Sequence, residues 1–373
     1  MVRPARLWPA RREVMSVLVA NAVEAPGQSI DAPREGVFRQ EVTRPGAAVE
    51  QDHALDVLSR RVFWQSRMLS RIEKAAGRRI VRIGLFDGSR VIAGLAGADD
   101  AGGLWRIPTV PYQGICFAGT DTVPPHRAEQ HREEATGELG RMLPRRYSRG
   151  CLDLEPEFVD ARPMIRAGWV VEPRYTYISD LSSDPRSRVS PAVRRRARRA
   201  AAAGVSFDAQ VAPAEFASLW VASQERRRLR PELTAEQLTA LLTALTVDDD
   251  TCIVVGSRLA CGRLVAAVAM LFDPQWAYFW LSGFDPDEPF RGASNQLCHL
   301  EMLALAAERV SRLDWVGANT PGVAEYKRSF GPTLIQHHRV RFGQGSVAAA
   351  PGMSWRDWIR CCPLLNEVRP CRR

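Results

Sequence analysis

The segment Leu313-Asp-Trp-Val-Gly-Ala-Asn-Thr-Pro-Gly-Val-Ala-Glu-Tyr-Lys-Arg-Ser-Phe-Gly331 changes its hydrophobic pattern twice. Residues 313–316 form a short apolar run that predicts a buried strand. Glycine and proline then break the pattern, and residues 323–330 predict a short helix that Gly331-Pro332 ends. Residues 333–342 alternate like a further strand. Because ligands bind beside the carboxyl ends of strands in open α/β sheets, this turn and helix form a candidate site.

Lysine is rare in this chain, although basic residues are not. Of the 51 lysine and arginine residues, only Lys74 and Lys327 are lysines. Arginine cannot replace lysine where a compact, rotatable ammonium is needed, so a lysine in the candidate site is a candidate for chemistry. The alternative is a leftover surface lysine, and composition alone favours neither interpretation.

Length and composition bound the class of protein. With 373 residues, of which 46% are hydrophobic, the chain can bury a sizeable core and is expected to form about two domains. The longest apolar run, residues 264–272, is too short to span a membrane. The apolar stretch at 14–22 lacks a clean cleavage context, so we predict no signal peptide.

The cysteines and histidines favour a cytoplasmic protein without a metal. The eight cysteines include no Cys-x-x-Cys pair, and several lie in apolar segments, as expected for small buried side chains in a reducing compartment. The six histidines show no metal-ligand spacing.

The formal net charge of +9 points to a polyanionic partner, unless arginine-rich coding alone explains it. Five arginines fall within residues 194–199 of a predicted helix. At about 3.6 residues per turn, Arg195, Arg198 and Arg199 share a face. These charges repel one another unless anions are near, so we expect this face to bind phosphate of RNA or of a nucleotide-linked acceptor. The alternative is a solvated helix.

The chain divides into an extension, two halves and a tail. Residues 1–50 are rich in Pro, Gly, Ala and Arg without a sustained period, which predicts a disordered extension. Residues 51–180 and 181–343 each predict helices, an antiparallel hairpin and strand, and then a helix, a strand, a helix and a strand. Residues 344–373 form a tail of unknown role.

The two halves also match in spacing. In the first half, Asp153 in a strand precedes the helix-ending Gly168. In the second half, Asp314 precedes Gly331 at nearly the same distance along the chain. A repeat of this size indicates a duplicated domain rather than a solenoid. We therefore predict an α/β (α+β) fold of two tandem units, each a mixed sheet flanked by helices.

These features resemble the Fem-type (FemABX-like) aminoacyltransferases, whose fold is two fused acetyltransferase-like (GNAT) domains. The resemblance covers about residues 37–342. Its most specific part is the pattern aromatic-Lys-x-x-Phe-Gly, which is Tyr326-Lys-Arg-Ser-Phe-Gly331 in this chain. The other parts are Gly168-Trp169 leading to Leu181, the basic helix, and the loop Pro111-Tyr-Gln-Gly114.

The chain departs from the family pattern in two places. Residues 214–245 predict ordinary short helices, so the long helical arm of some members is absent. The acetyltransferase pyrophosphate loop is not intact, because Arg291-Gly-Ala-Ser-Asn295 has the wrong spacing to cradle a diphosphate before a helix. This departure counts against acetyl-CoA as the donor.

The resemblance implies transfer of an acyl group, commonly an aminoacyl group from charged tRNA, onto an amine, without a cofactor. Ester aminolysis passes through an oxyanion, and one donor that stabilises it is worth roughly 3 kcal/mol. Lys327, held by Tyr326, is the expected donor, and we identify no histidine base. The expected substrate contacts are Arg195, Arg198, Arg199, Tyr112, Gln113, Trp280, Asn319 and Glu325. For Tyr112 and Gln113 the alternative is a packed turn, for Trp280 the core, and for Glu325 a solvent-facing position.

Three functions remain open. The first is an aminoacyl-tRNA-dependent aminoacyltransferase, acting as a cytoplasmic monomer on a cell-wall peptide precursor or a small secondary metabolite. The second is an acyl-CoA-dependent N-acyltransferase of the same fold. The third is a non-catalytic RNA-binding protein that uses the arginine-rich helix.

Overall fold

One sheet of thirteen strands organises the part of the protein that the structure describes. The computed structural model describes residues 39–43 (backbone only), 55–119, 122–248 and 251–343. The predicted tail, and the predicted extension except for its strand at 39–43, lie outside the described residues. The strands are β1 Arg39–Thr43, β2 Ile80–Asp87, β3 Arg90–Asp100, β4 Gly103–Trp105, β5 Cys116–Phe117, β6 Arg149–Asp153, β7 Val170–Asp180, β8 Ser206–Asp208, β9 Cys252–Arg258, β10 Leu264–Phe272, β11 Trp276–Phe284, β12 Arg312–Asp314 and β13 Thr333–Gly343.

Eight α-helices cover the described part of this sheet. None of them combines the length and the apolar character that a bilayer crossing requires. The helices are α1 Ser66–Ala76, α2 Pro125–Arg146, α3 Arg162–Arg166, α4 Pro191–Ala202, α5 Pro213–Arg226, α6 Ala235–Asp248, α7 Ala293–Ala307 and α8 Pro321–Arg328.

The two halves exchange their last strands. The sheet order is β1-β2-β3-β4-β6-β13-β7-β12-β11-β10-β9-β8, with β5 paired to β3. Strand β13 of the second half therefore lies between β6 and β7 of the first half, and β7 in turn pairs with β12. At the centre of the β7–β13 pairing, Arg174 lies opposite His337. The α/β fold class with mixed sheets is confirmed, whereas the boundary near residue 180 stays a prediction.

The aspartates that were matched by spacing occupy matching positions. Asp153 ends β6 and Asp314 ends β12, and both are buried. Each accepts a hydrogen bond from the exchanged strand. Arg339 on β13 donates to both oxygens of Asp153 at 2.7 and 2.8 Å, and Thr176 on β7 donates to Asp314 at 2.6 Å. Both buried carboxylates are thus satisfied by hydrogen bonds, as burial of such groups requires.

Strand β10 is apolar throughout because both of its faces are covered. Ala267, Ala269 and Leu271 pack in a core with α1, α5 and α6. Val268 and Met270 pack on the other face in a core with α4 and α7. Burial of a large apolar side chain contributes about 1.5–3 kcal/mol, so the two cores fix this strand in the sheet. A third core lies between β2, β3 and α2.

Candidate functional site

Strands β11 and β12 pair only briefly before they separate. Their parallel pairing stops at Asp314. The loop between β4 and β5 bridges the gap, because the Thr109 carbonyl accepts from the Trp280 indole at 2.7 Å and the Tyr112 hydroxyl donates to Asp314 at 2.9 Å. Tyr112 and Trp280, both predicted from the sequence as substrate contacts, therefore lie in one region where the halves meet.

Asp314 is the buried centre of this region. Its Oδ1 accepts from the Thr176 hydroxyl at 2.6 Å and from the Val316 amide at 2.7 Å, and its Oδ2 accepts from Tyr112. Burial raises the pKa of Asp314 above its ordinary value, although these donors and the charge of Lys327 act in the opposite direction. Burial also raises the pKa of Tyr112, so its hydroxyl keeps its proton.

Glu155, two residues after β6, is the titratable group that the sequence analysis missed. Burial, together with the charges of Glu157, Asp273 and Asp314, raises its pKa to about 7, and Arg61 offsets only part of this effect. The Glu155 side chain is 20% exposed to solvent, so a ligand can reach it. Most of its neighbourhood could not be read from local pattern, since Arg61, Asp273 and Asp314 come from distant parts of the chain.

Arg61 is held firmly beside Glu155. Its Nε lies 3.9 Å from Glu155, its Nη1 donates to the Tyr278 hydroxyl at 2.8 Å, and its Nη2 donates to Glu157 at 2.5 Å. The guanidinium also stacks on Trp276, 4.7 Å from the ring centroid. Because its Nη1 and Nη2 donate to Tyr278 and Glu157, Arg61 pairs with the Glu155 carboxyl only through Nε, at 3.9 Å.

The Glu155 carboxyl faces a cavity of about 990 Å³ in the first half. Five carboxylates and three arginines line it, so its wall carries more negative than positive charge. Stacked Phe117 and Phe158, with centroids 6.5 Å apart, supply an apolar surface. A cavity of this size with a few convergent polar groups is typical of a small-molecule site. The carboxylates are Glu129, Glu133, Glu155, Glu157 and Asp160, and the arginines are Arg61, Arg132 and Arg162.

Lys327 is buried, and its ammonium holds the turn after β12. Nζ donates to the carbonyls of Trp315, Val316 and Gly317 at 2.5, 3.0 and 2.9 Å, and it lies 5.2 Å from the Phe279 ring centroid. Burial lowers the pKa of Lys327 to about 8. All three N–H donors are therefore engaged, and contact with an oxyanion requires the release of one carbonyl.

Two other predicted residues of the same segment, Tyr326 and Asn319, are hydrogen-bonded within the fold. The Tyr326 hydroxyl bonds to His299 Nδ1 at 2.8 Å and accepts from the Asn295 amide at 2.9 Å. The Asn319 amide pairs with the backbone of Tyr175 through two bonds of 2.9 and 3.0 Å. Glu325 is exposed, the position given as its alternative.

Gln113 is also tied to the backbone. Its Oε1 accepts from the Asp153 amide at 3.0 Å, and its Nε2 donates to the Val110 carbonyl at 3.2 Å. The side chain thus fixes the loop that carries Tyr112 against β6. The geometry matches the packed turn that was the alternative for this residue.

The arginine-rich helix α4 presents its charges outward. Ser190 caps it by accepting from the Val193 amide at 3.4 Å, and small apolar residues form its buried face. Arg195, Arg198 and Arg199 are exposed, and no carboxylate in the described ranges forms an ion pair with any of the three. This face is available to an anionic partner.

A buried acid lies at the start of α7, where the sequence analysis looked for a pyrophosphate loop. Glu288 Oε2 accepts from the Phe290 amide and from the Ser294 hydroxyl, both at 2.9 Å, and Oε1 accepts from the Gly292 amide. Only 3% of Glu288 is exposed. Elsewhere in the described part of the chain, no group of three or more His, Cys, Asp or Glu residues is arranged to hold a metal.

Comparison with known proteins agrees with this architecture. Residues 187–328 match the family model described as an acetyltransferase (GNAT) domain. The crystal structure of FemX shares the fold with a TM-score of 0.55 and 12% identity, over 78% of this chain and 95% of that chain. The C-terminal domain (DUF2156) of a putative lysylphosphatidylglycerol synthetase from Agrobacterium fabrum has a TM-score of 0.52 and 11% identity, over 79% and 92%. No curated protein matches the sequence.

The family-model match assigns residues 187–328 to the acetyltransferase (GNAT) class of domain, and FemX shares the fold of most of the chain. The exchanged strands join two halves of similar order in one sheet. Within that class, the chain has the Fem-like tandem GNAT architecture, which confirms the resemblance found in the sequence.

Proposed function

We propose that this protein is an aminoacyl-tRNA-dependent aminoacyltransferase that forms an amide bond on an amine acceptor. The observation that carries the proposal is Glu155, a reachable carboxyl with a pKa of about 7 on the wall of a large cavity. A general base works best when its pKa lies near the operating pH. A module that only binds RNA has no need of such a group.

The acceptor amine binds in the cavity that Glu155 faces. An amine is a cation at neutral pH, and the excess of carboxylates on the wall attracts it. The bound ammonium first loses one proton to water, and Glu155 takes a second proton as the neutral amine nitrogen attacks the ester carbonyl. The tetrahedral intermediate then collapses, the C–O ester bond breaks, and the proton passes to the leaving hydroxyl of the tRNA ribose. The products are an amide and uncharged tRNA, and Glu155 is again a carboxylate.

The main role of Lys327 and Tyr326 in this reaction is to position other residues. Lys327 holds the carbonyls of the turn whose Val316 amide binds Asp314, and Asp314 binds Tyr112. The predicted direct role of Lys327 at the oxyanion stays part of the proposal, with release of one carbonyl as its condition.

The arginines of α4 support tRNA as the donor. Arg195, Arg198 and Arg199 form an exposed positive face without carboxylate partners in the described residues. Phosphate contacts by such side chains give nucleic acids affinity without sequence specificity. The acceptor, either a cell-wall peptide precursor or a small secondary metabolite, the monomeric state and the cytoplasmic location stay predictions.

The second candidate is an acyl-CoA-dependent N-acyltransferase, which the match to the acetyltransferase family model favours. The decisive experiment incubates the protein with aminoacyl-tRNA or acetyl-CoA and a panel of amines that includes a polyamine, free lysine and a peptide amine. Amide formed from aminoacyl-tRNA and abolished by ribonuclease supports the proposal. Product from acetyl-CoA that ribonuclease does not affect supports the second candidate, and RNA binding without product supports a non-catalytic protein.

A further inference from the structure

Charges cancel on one side of the large cavity, the side formed by α2, α3 and the residues just before α3. Arg162 donates to both oxygens of Asp160 at 2.8 and 2.9 Å and lies 3.5 Å from Glu129. Arg166 pairs with Glu133. A second cationic group on a ligand gains little from a wall whose charges balance. In the described residues the balanced set consists of Glu129, Glu133 and Asp160 with Arg132, Arg162 and Arg166.

The excess negative charge of the cavity lies at Glu155. Among the described side chains that line the cavity, the charges outside the balanced set are Glu155, Glu157 and Arg61. Arg61 donates to Glu157 at 2.5 Å, whereas it comes no closer than 3.9 Å to Glu155. Glu155 is therefore the carboxyl that a single ligand cation can neutralise.

Apolar side chains form much of the remaining wall. Phe117 and Phe158 stack there. Val159 is 85% exposed and Ile165 is 56% exposed, and both line the cavity. Exposed apolar side chains that meet in a concavity are typical of a binding site for apolar groups. A peptide or sugar body would instead bury amides or hydroxyls against these side chains without hydrogen-bond partners, which is costly.

We infer that the acceptor is a monoamine with an apolar body, whose ammonium lies at Glu155 and whose hydrocarbon part lies against Phe117 and Phe158. The inference deepens the proposed function, on which it rests for the reaction. Of the two acceptors that the sequence left open, it selects a small metabolite over a cell-wall peptide precursor. It also disfavours polyamines, because a second ammonium would lie against apolar side chains or against the balanced side of the cavity.

The test compares two amines in binding to the full chain by calorimetry, without any donor. The titrations are made at pH 8, where Glu155 is a carboxylate because its pKa is about 7. n-Hexylamine and 1,5-diaminopentane are equally long and differ at one end, which is a methyl group or an ammonium. We expect n-hexylamine to bind at least about tenfold more tightly, because no described carboxylate is left over for the second ammonium. From n-butylamine to n-hexylamine, each added methylene should tighten binding by up to about fourfold.

A double variant at the exposed apolar side chains tests where the hydrocarbon part lies. Val159→Ser combined with Ile165→Ser changes only exposed side chains, so the fold is kept. We expect the affinity for n-hexylamine to fall at least about threefold and that for 1,5-diaminopentane to stay the same. Leu334→Ser is the matched control, because Leu334 on β13 is 51% exposed and does not line this cavity. It should change neither affinity.

Glu155→Gln tests where the ammonium lies. It should weaken n-hexylamine binding about tenfold, whereas Glu129→Gln, at an exposed ion pair, should change it less than about twofold. The inference is overturned if 1,5-diaminopentane binds as tightly as n-hexylamine, if affinity does not depend on alkyl length, or if neither amine binds. Alkylamine binding as expected, without any amide formed from aminoacyl-tRNA, would support the site assigned here and refute the proposed reaction.

Discussion

Replacing Lys327 with methionine tests how the turn after β12 is held. Methionine fills a similar volume but donates no hydrogen bond, so the carbonyls of Trp315, Val316 and Gly317 lose their common donor. Each buried acceptor left without a partner costs about 1–3 kcal/mol. An opposing effect stabilises the variant, because it no longer has a charge buried in an apolar site.

The size of that opposing effect follows from the pKa. Burial lowers the pKa of Lys327 from 10.5 to about 8. Keeping the ammonium charged at neutral pH therefore costs about 3 kcal/mol of folding free energy. The loss of three donors outweighs it, so we expect Lys327→Met to lower the free energy of unfolding by about 3 kcal/mol near pH 7. Transfer activity should fall as well, because the turn positions Asp314.

The pH dependence of the free energy of unfolding tests the buried ammonium more sharply than its value at pH 7. The folded protein releases the Lys327 proton near pH 8 and the unfolded chain near pH 10.5, so between these values the unfolded chain binds more protons. The stability of the wild type therefore rises with pH over this range relative to that of the variant. Urea unfolding should show the difference between the two proteins widening by up to about 3 kcal/mol.

The other lysine provides the control for this prediction. Lys74 is exposed on α1, and Lys74→Met should change the free energy of unfolding by less than about 0.5 kcal/mol at every pH. If the difference between wild type and Lys327→Met does not change with pH, the ammonium is not a buried cation and the account of the turn is wrong.

Two further predictions concern α4 and the matched glycines. Replacing Arg195, Arg198 and Arg199 together with glutamine should weaken tRNA binding. The slope of log binding constant against log salt concentration should become shallower by about 2, as expected for three lost phosphate contacts. An unchanged slope in filter binding would show that the tRNA binds elsewhere. Gly331→Ala should destabilise the protein by more than about 2 kcal/mol, because φ is +76° and a Cβ would lie 2.3 Å from the Arg188 carbonyl oxygen. Gly168→Ala, with φ +85° and no atom within 4 Å of the new Cβ, should cost only about 1–2 kcal/mol; equal melting temperatures for the two variants would contradict this.

Periodicity and spacing were enough to predict the fold class. In β11, Tyr278 and Trp280 pack on one face and Phe279 on the other, as the alternation of side chains along a strand requires. The similar spacing around Asp153 and Asp314 pointed to two halves, and both aspartates end strands at matching positions in the sheet. The exchange of β7 and β13 could not be predicted, because strand order depends on contacts between distant segments.

The site was harder to predict because its chemistry depends on contacts across the chain. Residue type drew attention to Lys327, but its ammonium is directed by the carbonyls of a turn in which Val316 adopts a left-handed φ of 51°. Glu155 had no local signature, since its raised pKa comes from burial and from carboxylates such as Asp273 and Asp314. Tyr112 was singled out because prolines and a glycine frame its loop, and its contact with substrate stays a prediction.

The pH dependence of kcat/KM for amide formation tests the role of Glu155 most directly. With a pKa of about 7, deprotonation of Glu155 should raise kcat/KM about tenfold between pH 6 and pH 8 before the rate levels off. Glu155→Gln should lower kcat/KM by about 10²–10⁴-fold and remove this inflection, whereas Glu129→Gln, at the exposed rim of the same cavity, should keep it. An inflection near pH 7 that persists in Glu155→Gln would show that another group takes the proton and would contradict the account.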